Sequence, residues 1–206
     1  MWARLESNTI VEILTRPKAL NIGDVKYPRN IFSMWTDAEL ATIGIVPVTI
    51  DNTNLKDKEY YTNTNQSFAY DTETGVATAT YGTATAKAIA DTLYTAQDET
   101  DGLGTEGELA SRGLKYNHKQ SINAQAAVNL QATDWMVIRE QEGGTAVPSD
   151  TTTQRAAVRT KANAMCTQID GAADVDALAA LYVYTNTGTE ESPVFTRPLG
   201  ELPTVD

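Results

Sequence analysis

Few side chains in this sequence are equipped for chemistry. Its 206 residues contain one histidine, His118, and one cysteine, Cys166. A serine or cysteine nucleophile needs a base within hydrogen-bond reach, and His118 is the only imidazole able to serve. Flanked by Tyr116, Asn117 and Lys119, it reads as an ordinary polar surface residue. A zinc site built from one His and one Cys would have to be completed by carboxylates, an uncommon ligand set. The acidic segment Asp98, Glu99, Asp101, Glu106 and Glu108 invites a calcium test. It fails, because counting from Asp98 puts Gly102 at the fifth position and Leu103 where an EF-hand requires Gly. A solvated linker is the better reading. No glycine pattern followed by Lys and Ser or Thr cradles a phosphate, and DGLGTEGE is too acidic to welcome one. Paired carboxylates of the glycosidase kind have no spacing here that fixes two at a defined separation. The expectation is a protein that is not an enzyme, with no cofactor and no metal. A small hydrolase acting on surface glycans is the remote alternative.

The balance of charge narrows the partners. The formal net charge is -11, whereas affinity for phosphate backbones comes from Lys and Arg displacing counterions, so nucleic acid is not expected as a partner. Hydrophobic residues make up 41% and charged residues 21%, as in a folded protein. With a lone cysteine the scaffold must be held by packing, and a reducing compartment is the simplest expectation. No apolar run approaches the roughly 20 residues that span a bilayer. The opening MWARLESNTIVEIL lacks the basic-then-apolar order of a signal peptide, so synthesis in the cytoplasm and no membrane association are expected.

The elements that would position any site form an α+β pattern: small β-hairpin-rich N-terminal and central modules followed by a C-terminal antiparallel helical hairpin. Alternation from Trp2 to Leu5, and again at Ile10, Val11, Ile13 and Leu14, predicts a hairpin turning at Ser7 and Asn8. Thr36 is placed to cap a short helix that Gly44 ends. IVPVTI then reads as a strand that Pro47 confines to an edge or a bulge. Residues 1–53 thus make a small α+β module. Residues 54–97 hold a Thr-rich hairpin with a turn at TETG, followed by a short helix over AKAIADTLYTA. Residues 98–105 are the acidic, Gly-rich linker.

Residues 106–184 form the helical hairpin region. Ile122, Ala126, Leu130 and Val137 share one helical face, and Val158, Ala162, Met165 and Ile169 share another. Between them lie the breakers Gly143, Gly144 and Pro148, after which Asp150 is placed to cap the second helix. DVDALAALYVY reads as a shorter third helix, and residues 185–206 as an extended tail. Trp2, Trp35 and Trp135 are read first as core residues, with an interface anchor as the alternative. Arg139, with Arg155 and Arg159 on the next helix, suggests a basic face on an otherwise acidic protein.

The segment LQATDWMVIRE, a Gly and Pro breaker and TTTQRAAVRTKANAM together resemble the C-terminal region of phage tail-fibre assembly chaperones and related tail proteins. The matching positions are Leu130, Thr133, Asp134, Trp135, Arg155, Ala156 and Arg159, within a stretch of about 50 of the 206 residues. The YPRNIF stretch and the TDAELATIGI helix also look like the opening module of such proteins. The long Thr-rich centre and the ending RPLGELPTVD depart from the commoner form, where many relatives close on a Pro- and Trp-rich segment. The resemblance implies a phage tail protein, made in the host cytoplasm, that binds a trimeric tail fibre. It would act transiently as a chaperone or stay in the virion tail. Leu130, Trp135, Arg139, Arg155 and Arg159 would contact the fibre. A purely structural baseplate or tail-tip adaptor, meeting neighbouring tail subunits, is the alternative.

Overall fold

A computed structural model describes residues 1–205. The fold is α+β, and the chain divides into two compact units, Met1–Thr85 and Ala86–Asp206.

In the first unit, strand β1 (Trp2–Glu6) pairs with β2 (Thr9–Leu14) across a turn in which Ser7 and Asn8 adopt positive φ, the geometry a tight two-residue hairpin requires. The register slips between Arg4 and Leu5, so that Arg4 faces Glu12 and Leu5 faces Ile10. That bulge lets Ile10 and Ile13, three apart, join the same apolar cluster, while Val11 turns outward. A small hairpin of β3 (Leu20–Ile22) and β4 (Val25–Tyr27) follows, then α1 (Ile31–Met34) and α2 (Asp37–Thr42). Thr36 and Glu39 form a reciprocal capping box on α2. Gly44 closes the helix at φ +77°, and a Cβ there would lie 2.7 Å from the Leu5 carbonyl oxygen, so both the turn and the close approach to β1 require glycine.

Strand β5 (Ile45–Asp51) lies inside the sheet, correcting the edge or bulge expected from Pro47. Its first half pairs antiparallel with β1 and its second half, from Val48, parallel with β8 (Val76–Tyr81). The Val48 N–H donates to the Met1 carbonyl, so the position of Pro47's missing N–H points to the other side, where the β8 ladder has not yet begun. The proline therefore costs no ladder bond. After the short β6 (Tyr61–Thr62), the Thr-rich hairpin of β7 (Gln66–Asp71) and β8 forms as expected and extends this sheet, giving the order β2-β1-β5-β8-β7. The sheet curls until β2 and β7 approach each other. Inside the curl sit Ala3, Val46 and Ala77 with Ile10, Ile13 and Tyr70; a second cluster gathers Leu14, Leu20, Ile31, Leu40 and Ile45 with Trp2, Phe32 and Trp35.

Strand β9 (Thr85–Ala86) falls on the division between the units. The helix expected over AKAIADTLYTA, residues 86–96, is not there. The chain runs extended through β10 (Thr92–Leu93), paired with β11 (Leu109–Ser111), and only Ala96–Thr100 (α3) is helical. The reason is what this segment does for α4 (Leu114–Gln141). The carbonyls of Ala88 and Ile89 accept from the N–H groups of Leu114 and Lys115, and Asp91 accepts from the Gly113 N–H at 2.8 Å. The first donors of α4 are thus satisfied by the preceding segment of the same chain, through two carbonyls and the Asp91 carboxylate, instead of by a cap from the helix's own N-cap residue. A Cβ on Gly113 would run into the Ala90 backbone, so this docking depends on glycine.

α4 packs against α5 (Ser149–Gly171), and α6 (Val175–Ala180) follows with Asp174 as its cap. Ile122, Ala126, Val158, Ala162, Met165 and Ile169 are buried between and around these helices, as their periodicity predicts. Asp150 lies in the first turn of α5, one residue inside the helix, and Pro148 holds the cap position. The tail forms a short hairpin, β12 (Thr185–Asn186) with β13 (Phe195–Thr196), and then returns to the helices, where Leu199 is fully buried.

Candidate partner-binding surface

Arg155 is the least expected feature of the helical pair. Its residue is 6% exposed, and its guanidinium donates to the Leu130 carbonyl at 2.8 Å, to Thr133 Oγ1 at 2.5 Å and to Asp134 Oδ1 at 2.7 Å. The Thr133 hydroxyl in turn donates to the Leu130 carbonyl at 3.1 Å. The guanidinium fork suits this task, since one rigid plane reaches three acceptors along a single helical turn. Burying a cation is tolerable only with such a complete set of partners. Three of the residues that carry the family resemblance, Leu130, Thr133 and Asp134, are thus tied by a fourth on the facing helix.

This placement corrects the expected basic face. Arg139, Arg155 and Arg159 do not share one surface, because Arg155 points into the helix interface whereas Arg159 is exposed on α5. Arg139 works locally. It lies over the Trp135 ring at 4.9 Å and donates to the Thr145 carbonyl at 3.0 Å, clasping the breaker loop to the end of α4. Leu130 is half-buried at the helix contact. Trp135, by contrast, is 53% exposed, with Val128 and Ile138 exposed beside it. These three lie on the α4 face turned away from Ile122, Ala126 and Thr133.

The exposed residues along the middle of that outer face, Ser121, Ala124, Gln125, Val128, Gln131, Ala132, Trp135 and Ile138, are uncharged, and exposed Asp134 at its flank is paired with Arg155. Indeed, no charged residue occurs anywhere in α4 between Lys119 and Asp134. Beside its N-terminal half runs a groove of about 510 Å³, floored by Ala124, Gln125 and Val128 and walled by Glu201, Leu202 and Thr204 of the tail.

The tail wall is held by contacts that no periodicity announces. Arg197 lies between the rings of Tyr182 and Tyr184, at 5.5 and 5.3 Å, and pairs with Glu201 at 2.8 Å. Tyr184 also donates to Glu201, a bond to a carboxylate that raises the phenol's pKa. Lys161 donates to the Leu199 carbonyl and Asn129 to the Pro203 carbonyl, each at 2.9 Å. Two Tyr just before the Pro-containing tail, with an Arg and a Glu inside it, are the sequence signal that could have pointed there.

His118 is buried, not a surface residue, and its ring lies tilted against that of Tyr182 with centroids 4.8 Å apart, because its position on α4 faces the core. Cys166 is partly buried, which pushes its thiol pKa up, away from thiolate reactivity. The acidic segment is occupied with local capping: Asp98 accepts from the Thr95 N–H, and Glu99 from the Glu106 N–H. Among the described residues no group of three or more His, Cys, Asp or Glu is placed to hold a metal ion, and no helix is long and apolar enough to cross a membrane. Comparison with family models, curated proteins and solved structures finds no match to this chain.

Proposed function

We propose that this chain is a phage tail protein that binds the tail fibre through its helical hairpin, as an assembly chaperone or as a subunit kept in the virion. The observation that carries the reading is the uncharged outer face of α4 with Trp135 exposed at 53% on a chain of net charge -11. A solvent-exposed indole on a rigid helix is the kind of anchor around which protein interfaces are organised. The Arg155 bonds to Leu130, Thr133 and Asp134 fix the turn that presents it. A trimeric fibre has to keep its strand edges and apolar tips from mispairing until it is complete, and a soluble acidic protein with one neutral face is suited to cover them.

Co-expression with the fibre is the test. Fibre solubility should rise and the two proteins should copurify, and Trp135→Ala should abolish both while changing stability by no more than about 1 kcal/mol, since the residue is about half exposed and touches chiefly the Arg139 guanidinium. Unchanged fibre solubility with no copurification, together with absence from mature particles, overturns the reading.

A further inference from the structure

The outer face of α4 carries both a protruding ring and a receptacle, and they lie on the same side of one helix. Trp135 projects from the C-terminal half, and the groove floored by Ala124, Gln125 and Val128 opens beside the N-terminal half. Val128 and Trp135 are two helical turns apart on nearly the same azimuth, about 10 Å along the axis. A patch with a knob and a matching hole on one face is complementary to itself under a two-fold axis.

We propose that this face pairs with a second copy of the chain, with the two α4 helices antiparallel and each Trp135 seated in the other's groove beside Val128. The inference concerns the surface used in the proposed function and names a partner for it when no fibre is present.

Size and charge select the occupant and the direction. The N-terminal half of the face is small, with Ser121, Ala124 and Val128, and the C-terminal half is large, with Trp135 and Ile138. An antiparallel pair sets large against small, whereas a parallel pair would stack Trp135 on Trp135 and Arg139 near Arg139. Centred between Gln131 and Ala132, the antiparallel arrangement carries the second copy's Arg139 toward the groove rim at Glu201. Two copies with net charge -11 repel wherever acidic surfaces meet, and a face whose central exposed residues are uncharged, with Asp134 at its flank already paired to Arg155 and Glu201 at the groove rim met by the second copy's Arg139, lowers that penalty. Ala124 and Ala132 keep the helices close enough for the indole to reach the opposite floor.

Sedimentation velocity of the full chain across a concentration series should show a monomer–dimer equilibrium. Trp135→Glu should weaken it on the order of 30-fold or more while leaving the circular dichroism unchanged. In a Cys166→Ser background, Ala132→Cys should cross-link on oxidation because residue 132 lies beside the two-fold axis, whereas Ser121→Cys should not. A monomer at every concentration, a dimer indifferent to Trp135→Glu, or equal cross-linking at 121 and 132 overturns the proposal. Fibre capture by a chain that stays monomeric would sink this inference alone, and a dimer with no fibre capture would sink the tail-fibre reading alone.

Discussion

At the scale of single residues, Arg155 decides how the helical pair is held. Its three acceptors are the Leu130 carbonyl, Thr133 Oγ1 and Asp134 Oδ1. Replacing it with alanine takes a buried donor from the first two, which keep only the Thr133-to-Leu130 bond between them, while Asp134, 53% exposed, is readily rehydrated. Arg155→Ala should therefore cost about 2–3 kcal/mol in urea unfolding. Arg155→Lys should recover less than half of that, because a single ammonium cannot span a carbonyl, a hydroxyl and a carboxylate laid along a turn. Full rescue by lysine would mean that charge alone matters and geometry does not. Trp135 belongs to the same stretch of sequence and has the opposite fate: it is 53% exposed, with part of its ring open to contact.

At the scale of elements, the long helix α4 begins on borrowed acceptors. Gly113 donates to Asp91, and Leu114 and Lys115 donate to the carbonyls of Ala88 and Ile89. Gly113→Ala would push a methyl into the Ala90 backbone and should cost roughly 1–3 kcal/mol, with loss of helical signal concentrated at the first turns of α4 by NMR. The Gly113 N–H, followed by the Arg112 guanidinium, holds the Asp91 carboxyl below its ordinary pKa. A lowered folded-state value means that the unfolded chain binds the proton more readily. The contribution of Asp91 is thus complete above the unfolded carboxylate's pKa and disappears as pH falls through the lower folded value. Asp91→Asn should remove that part of the acid sensitivity, seen as a flatter pH dependence of the Gly113 amide shift. An unchanged acid limb would argue against the cap.

The same element shows where reading the sequence succeeds and where it stops. Val158, Ala162, Met165 and Ile169 are legible because burial on one face of a helix imposes its own period. The Ser7–Asn8 turn and the Thr36 cap are legible because they are local. AKAIADTLYTA misleads because its alanines favour a helix, while its backbone is needed by α4, 20-odd residues on, as a source of carbonyls. The inward turn of Arg155 and the Tyr182–Arg197–Tyr184 clasp depend likewise on contacts distant in sequence, which no local pattern encodes.

At the scale of the whole molecule, charge governs association. Copies of a chain with net charge -11 repel over a distance set by the Debye length, about 30 Å at 0.01 M and about 8 Å at 0.15 M ionic strength. A dimer joined through a neutral face should therefore tighten as salt rises between those two conditions, which sedimentation at both will measure. Weakening with salt would indicate a contact driven by opposite charges instead.

Strand β5 divides its partners in sequence, taking β1 for Ile45–Pro47 and β8 for Val48–Asp51. During synthesis the first partner is already made when β5 emerges, but the second arrives only with Val76–Tyr81. For that interval the second half of β5 is an open strand edge, and its residues Thr49 and Asp51 are polar while Ile50 is not. Closing the curled sheet thus waits on a crossover of some 25 residues, and anything that slows the chain between Asn52 and Gly75 prolongs the time an unpaired edge stays exposed.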